Sequence, residues 1–438
     1  MKYSLRSSFF RYVIVLFVAV LALTIAGRVV TLSGAAEFCK GWLVCIPNAP
    51  LGWLKLAHLS LVGAASVLMV LVFRKAWREQ RNHRIILPLT TILGVMFFGQ
   101  ALVGAVLISK SDARHLLALH ELTTVALWIS LALLVYASGT MIETEINSLV
   151  TDKRQRVKDL FALMKPLIVG LLLITTYGGL VIGMKEFPSF SLTMWTLLGG
   201  ALAAGGSSAL NQYIDRELDK NMQRTAKRPL ADGRLTSAEG LAFGLGMSLT
   251  SYYLLACFVN DLAALLSLAG IIYYVVLYSL WLKKATVQNI VIGGGAGAIP
   301  PMVGYAAATG QLDWTAWILF AIIFMWTPPH FWALAIVRMK DYEHAGVPMM
   351  PVVRGEMETR KQILIYTVEL VAVTLLLPIL NLAGTFYLIT SLVLDGALLY
   401  AAWAVWRNGG NKLAWRMYKW SSSYLVFIFV AIMIDAVL

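Results

Sequence analysis

The chain has 438 residues, of which 59% are hydrophobic and only 13% charged, with a formal net charge of +13. Soluble domains carry about 25% charged residues, so half that density cannot cover a water-exposed surface, and a soluble fold is excluded. Three cysteines are too few for a disulfide scaffold, and a mean hydropathy of +0.75 is far too apolar for a disordered chain.

Apolar runs of roughly 17–25 residues can cross a bilayer. Thirteen such runs are predicted, near 9–31, 51–73, 86–108, 115–138, 166–184, 193–213, 238–258, 262–282, 286–306, 313–336, 362–381, 384–405 and 417–438. None has the period-two alternation of a barrel strand. The expected fold is an all-α polytopic membrane protein. The N-terminus is basic, with Lys2, Arg6 and Arg11, and its apolar stretch is long and lacks a small-residue cleavage site. It reads as a retained helix rather than a signal peptide. No Arg/Ser-rich transit segment precedes it, which points to a bacterial cell membrane. With the N-terminus inside and the C-terminus outside, only Arg28, Lys40, Lys55, Lys110, Arg114 and Lys185 of the 36 basic residues fall outside. The basic balance is thus a positive-inside topology signal, and no sign of nucleic-acid binding remains.

Four runs precede the longest polar stretch of the first half, Met141 to Lys165, and nine follow it. The expected organisation is a four-helix bundle over 1–140, an inner linker over 141–165 and a nine-helix bundle over 166–438. The linker's downstream end has helical apolar spacing at Val157, Leu160, Phe161 and Met164, as in an interfacial helix.

In the first bundle, His58 lies early in the second run and His120 early in the fourth. Both runs start outside, so the two histidines share a leaflet at similar depth. Two imidazoles so placed suit the axial positions of one heme b between helices; two unrelated polar core residues are the plain alternative. Gln100 is a candidate partner for them or a helix–helix hydrogen bond. Cys39 and Cys45, six residues apart in an outer loop, permit a disulfide. Cys257 reads as a small apolar core residue.

The densest polar cluster is NQYIDRELDKNMQRTAKRPLADGR, starting at Asn211. Asn211, Asp215 and Asp219 are spaced i, i+4, i+8 and form one stripe on a helix. Two carboxylates and an amide oxygen suit Mg²⁺ that is shared with substrate phosphates. Arg224, Lys227 and Arg228 follow, and guanidinium groups match phosphate oxygens. The pattern reads as a metal–diphosphate site; a charged inner loop with helix-end ion pairs is the alternative. Polar residues recur at inner helix ends in YSLWLKKATVQN and in HFWALAIVRMKDYEHAGVPMMP. His330 stands beside Pro328 and Pro329, where a helix break is expected with its freed backbone lining a cavity or buried in protein; an intramembrane histidine is a functional candidate, with a structural hydrogen-bonder as the plain alternative.

The segments NQYIDRELDKNMQRTAKRPL, YSLWLKK, GAIPPMVGYAAATGQLDW and HFWALAIVRMKDYEHAGVPMMP span residues from about 160 to the end. They resemble the protoheme IX farnesyltransferases (heme O synthases) of the UbiA-type prenyltransferases. The resemblance implies a nine-helix bundle that takes farnesyl diphosphate, heme b and water and makes heme O. It puts Asn211, Asp215 and Asp219 in a first Mg²⁺–diphosphate motif, with Arg224 and Arg228 after it. It puts Lys340 and Asp341 in a second motif, where Asp341 is the remaining metal ligand and Ala345 stands in place of an acid. His330 is a candidate to activate water or to bind the heme iron. In the first bundle, GRVVTLSGAAEFCKGWLVC, GQALVGAVL and LALHELTTVALW are similar to one half of the heme A synthase family. Lys55 stands where that family has an acid, so this half is expected to bind heme without oxidising it, with Lys55 free to pair with a propionate. Expected partners are the lipid bilayer and heme A synthase or terminal-oxidase assembly. The rival readings are a transferase acting on a quinone or chlorin, and a heme-binding electron-transfer or heme-delivery protein.

Overall fold

The computed structural model describes residues 7–39, 45–109, 114–140 and 152–438. Lys2, Arg6, Lys40, Lys110 and linker residues 141–151 lie outside them. No strand occurs among the described residues. The helices are α1 (Ser8–Ser33), α2 (Gly52–Glu79), α3 (Ile86–Ser109), α4 (Arg114–Gly139), α5 (Lys153–Leu163), α6 (Pro166–Met184), α7 (Phe190–Lys220) and α8 (Ser237–Phe258). Next, α9 (Asp261–Ile272) runs into a π-helix (Tyr273–Leu282) and α10 (Lys283–Ala285). The remainder are α11 (Asn289–Thr309), α12 (Trp314–Val337), α13 (Met339–His344), α14 (Met350–Ile379), α15 (Thr385–Asn408) and α16 (Asn411–Val437).

A helix lies on each of the thirteen expected spans, and twelve are long and apolar enough to cross a membrane. The other is α7, with 31 residues, about 46 Å at 1.5 Å per residue. Its GGALAAGGSSALNQ segment carries small and polar residues where large apolar ones would be. Many helix faces are apolar outward: Leu167, Phe190 and Trp314 are 89%, 83% and 75% exposed, as a lipid-facing surface requires.

The chain forms two compact units. Unit 1 holds residues up to Asp152 together with Thr236–Tyr253, and unit 2 holds Lys153–Leu235 and Leu254–Leu438. In unit 1, α1 packs on α2, α2 on α3, α3 on α4 and α4 on α1, around a core that includes Phe9, Leu16, Met69, Leu93 and Leu131. Ser7 caps α1 by accepting from the Phe10 amide at 3.1 Å, and Gly34 closes it at φ +66°. Cys39 and Cys45 are bonded, with Cα atoms 5.4 Å apart. The buried Lys55 Nζ donates to the Cys39 carbonyl at 2.6 Å. Lys55 therefore anchors the disulfide loop, and its ammonium is committed there rather than left free for a propionate.

In unit 2, α6 meets α11 at the closest approach. A Cβ on Gly304 would lie 1.8 Å from the Thr176 carbonyl oxygen, and one on Gly179 would lie 2.0 Å from that of Pro301. Only glycine permits that crossing. α12 packs on α11, α14 and α16, and α16 packs back on α6. The expected break at Pro328–Pro329 does not occur, because α12 continues through both prolines. Thr327 Oγ1 donates to the Ile323 carbonyl there at 2.8 Å, one of the local adjustments that let a buried helix carry proline. The interruption falls instead in α14, where Gly355 takes φ +82°.

Candidate active site

The α7 stripe is real. Asn211, Asp215 and Asp219 are 4%, 2% and 3% exposed, all turned inward within unit 2. Two contacts hold α7 in this rotation: Ser208 Oγ and Gln212 Nε2 both donate to the Leu163 carbonyl at 2.8 Å. That carbonyl ends α5, whose outward face exposes Val157 and Phe161 while Asp159 is buried and paired with Arg234. Of the apolar spacing read from the sequence, Val157 and Phe161 are exposed while Leu160 and Met164 are half-buried.

Each stripe residue meets a cation or a donor. Asn211 Nδ2 donates to Asp215 Oδ2 at 2.8 Å and to Ser279 Oγ at 3.0 Å. Lys283 Nζ reaches Asp215 Oδ2 at 2.6 Å. Arg228 Nη1 bonds both Asp219 oxygens, at 2.9 and 2.7 Å. Lys165 Nζ donates to Asn211 Oδ1 at 3.4 Å, from a left-handed backbone at φ +53° just before Pro166. Few non-glycine residues hold that conformation; Lys185 and Asn381 are the others among the described residues. Burial lowers the Lys165 ammonium to about 7, and the like charges of Arg228 and Lys283 add to this against Asp219 and Asp215. Lys283 and Arg228 thus each pair with one of the two carboxylates, and Lys165 adds a third basic group beside Asn211.

The π-helix sets the opposing wall. Its i→i−5 pattern lets Ser279 Oγ donate to the Tyr274 carbonyl at 2.8 Å while meeting Asn211. Long π stretches are rare and favour functional sites. Tyr274 and Tyr278 are stacked at 5.6 Å within electrostatic range of Asp215. The sequence reading missed Lys165, Tyr274, Tyr278, Ser279 and Lys283, although the YSLWLKK segment was the available signal for the last three.

Of the residues expected in a second motif, Asp341 lies 3.8 Å from Arg338, while Lys340 is exposed on α13. Arg224 is exposed and within range of Tyr342, whose phenol is pushed up by burial. Asp215, Asp219 and Asp341 do not converge: among the described residues no three acidic, histidine or cysteine side chains could hold one metal. A cation nonetheless fits at the first motif, because Asp215 Oδ1 is buried with no hydrogen-bond partner beside Asn211 and Asp219. His330 is buried, with Nδ1 2.7 Å from Ser421 Oγ and its ring stacked on Trp326 at 4.3 Å.

In unit 1, His58 and His120 come within electrostatic range of each other. Each has a buried Nδ1 with no partner, and each ring lies against a glycine. A Cβ on Gly27 would touch His58 Cε1 at 3.0 Å, and one on Gly104 would touch His120 Cε1 at 3.3 Å. Gln100 Nε2 donates to Thr124 Oγ1 at 2.7 Å, and Thr124 Oγ1 donates to the His120 carbonyl at 2.9 Å.

Residues 172–423 match the UbiA prenyltransferase family. A protoheme IX farnesyltransferase of Roseiflexus sp. is 40% identical over 94% of this chain and 81% of its own length. One from Symbiobacterium thermophilum is 48% identical over 64% of this chain and 95% of its own. A solved structure of digeranylgeranylglyceryl phosphate synthase in membranes shares the fold, with a TM-score of 0.56 at 18% identity over 65% of this chain and 99% of that one.

Proposed function

Because the chain belongs to the UbiA prenyltransferase family, we propose that it moves a farnesyl group from farnesyl diphosphate to a vinyl group of heme b. Water adds in the same reaction, so heme O and diphosphate are the products. The observation that carries this is the buried stripe of Asn211, Asp215 and Asp219 facing Lys165, Lys283 and Arg228. The farnesyltransferase that this chain covers almost completely matches only 64% of it, which supports unit 2 as the transferase.

Asn211 Oδ1, Asp215 and Asp219 would hold Mg²⁺, which supplies charge to neutralise the diphosphate. Lys165, Lys283, Arg224 and Arg228 bind the remaining phosphate oxygens and take up the charge that grows as the C1–O bond breaks. Tyr274 and Tyr278 wall the allylic cation off from bulk water. The vinyl carbons attack C1, and the new cation beside the porphyrin is captured by water. His330 takes the proton that this water loses. Arg338, Lys340 and Asp341 lie on the segment after α12 and serve the outer edge of the site. The positive-inside count supports an orientation with this site on the inner face of the cell membrane.

In unit 1, His58 and His120 bind a heme b, as their orphaned ring nitrogens and paired glycines suit. Its fate links the protein to heme A synthesis or terminal-oxidase assembly. The test is mass analysis of heme extracted from a host that lacks heme O and expresses this chain. A heme heavier by one farnesyl group and one hydroxyl group supports the reading. Prenylated quinone or chlorin with unchanged heme overturns it.

A further inference from the structure

His330 has two ring nitrogens, and which one carries the proton decides what it can do. Its Nδ1 lies 2.7 Å from Ser421 Oγ, a residue 91 positions away on α16 and 1% exposed. Ser421 Oγ has one proton, and it already donates to the Tyr418 carbonyl at 2.9 Å in a helical back-bond. The oxygen is therefore left as an acceptor toward His330. The opposite arrangement, with Ser421 donating to Nδ1, would put a hydrogen on Nε2. That arrangement would also give up the Ser421 bond to the Tyr418 carbonyl.

The surroundings lock the ring as well as the proton. Trp326 stacks on one side at 4.3 Å and Tyr418 packs at 4.6 Å. Trp326 Nε1 donates to the Ser421 backbone carbonyl at 2.8 Å, so the same residue fixes the stacking partner and the imidazole. Phe331 closes an edge at 5.1 Å. Only the Nε2 side is left for chemistry. Tyr418 in turn lies within electrostatic range of Tyr342, which senses Arg224, Asp341 and Arg338.

We propose that Ser421 is a positioning residue that holds neutral His330 in the Nδ1–H form, so that Nε2 presents its lone pair to the prenyl-acceptor side of the site. This rests on the transferase reading above. In the hydration step a water oxygen bonds to the carbon cation, one water O–H bond breaks, and that proton goes to Nε2. Ser421 exchanges no proton in this step; it accepts from Nδ1–H throughout and steadies the imidazolium that forms.

The test uses the full-length protein carrying histidine labelled with heavy nitrogen. The His330 signals are identified among the six histidines by their loss in His330→Gln. The expected spectrum shows a protonated Nδ1 and a bare Nε2, retained in Ser421→Thr and mixed in Ser421→Ala. A bare Nδ1 in the wild type, or a Ser421→Ala spectrum identical to it, overturns the proposal. Turnover gives a second readout. Ser421→Ala should lower kcat for the hydrated product by on the order of 10²-fold, with KM for farnesyl diphosphate unchanged and product lacking the water enriched. Equal loss in Ser421→Thr and Ser421→Ala, with no change in the product ratio, also overturns it. Failure of the wild type to prenylate heme at all would sink the transferase reading while the tautomer spectrum still reports on Ser421.

Discussion

Asp219 and Glu217 lie two residues apart on α7, yet Asp219 is buried against Arg228 while Glu217 is exposed and pairs with Lys220 at 2.7 Å. Asp219→Asn keeps the shape and removes the charge that organises Arg228. Farnesyl transfer should fall by at least about 10²-fold, and stability by about 1–2 kcal/mol. Glu217→Gln, on the solvated side of the same turn, should leave both within error. Heme extraction and thermal unfolding measure the two effects, and equal behaviour of the two variants would remove the stripe from the chemistry. The stripe was legible in the sequence because a spacing of four puts three residues on one helix face. Lys165 and Ser421 were not, because their partners lie 46 and 91 residues away, and no local pattern encodes a tertiary contact.

At the scale of whole helices, hydropathy located the twelve helices among the described residues that are long and apolar enough to cross a membrane, since a bilayer imposes length and apolarity that a sequence cannot hide. It could not show how the helices touch. The GGGAGAIPPMVG segment of α11 reads as one uniform run, yet its glycines differ completely. Gly304 abuts the Thr176 carbonyl oxygen, whereas a Cβ on Gly297 would meet nothing within 4 Å. Gly304→Ala should force α6 and α11 apart and cost about 3 kcal/mol or more. Gly297→Ala, in a helix interior with open space, should be neutral or stabilise by up to about 1 kcal/mol. Thermal denaturation in detergent ranks them, and a Gly304→Ala protein as stable as Gly297→Ala would show that the helices do not cross this closely. The π-helix was equally hidden. YYVVLYSLWL has no residue that forbids ordinary α-helix, and the wider turn coincides with the contact of Ser279 with Asn211.

Over the whole molecule, the candidate polar residues fall into two sets: the histidine pair of unit 1 and the cation–carboxylate cluster of unit 2. Unit 1 draws residues 236–253 from the middle of the chain. That assignment was illegible, because α8 reads as one more apolar span and its sequence carries no mark of which bundle it joins. It also means that a fragment ending near residue 150 lacks part of its own unit, so the heme proposal is best tested in the full chain. His58→Ala and His120→Ala should each abolish a low-spin heme spectrum and leave farnesyl transfer intact. Gly104→Leu should do the same by filling the space against the His120 ring, where even a Cβ would come within 3.3 Å. Asp219→Asn should do the reverse, keeping the spectrum and losing the transfer. Reduced-minus-oxidised spectra and extracted-heme mass, taken on the same four proteins, read both activities at once. Should the histidine variants keep the low-spin spectrum, the heme belongs elsewhere and His58 and His120 are core residues. Should they lose the transfer as well, the histidines are needed for the transfer itself and the assignment of two independent sites fails.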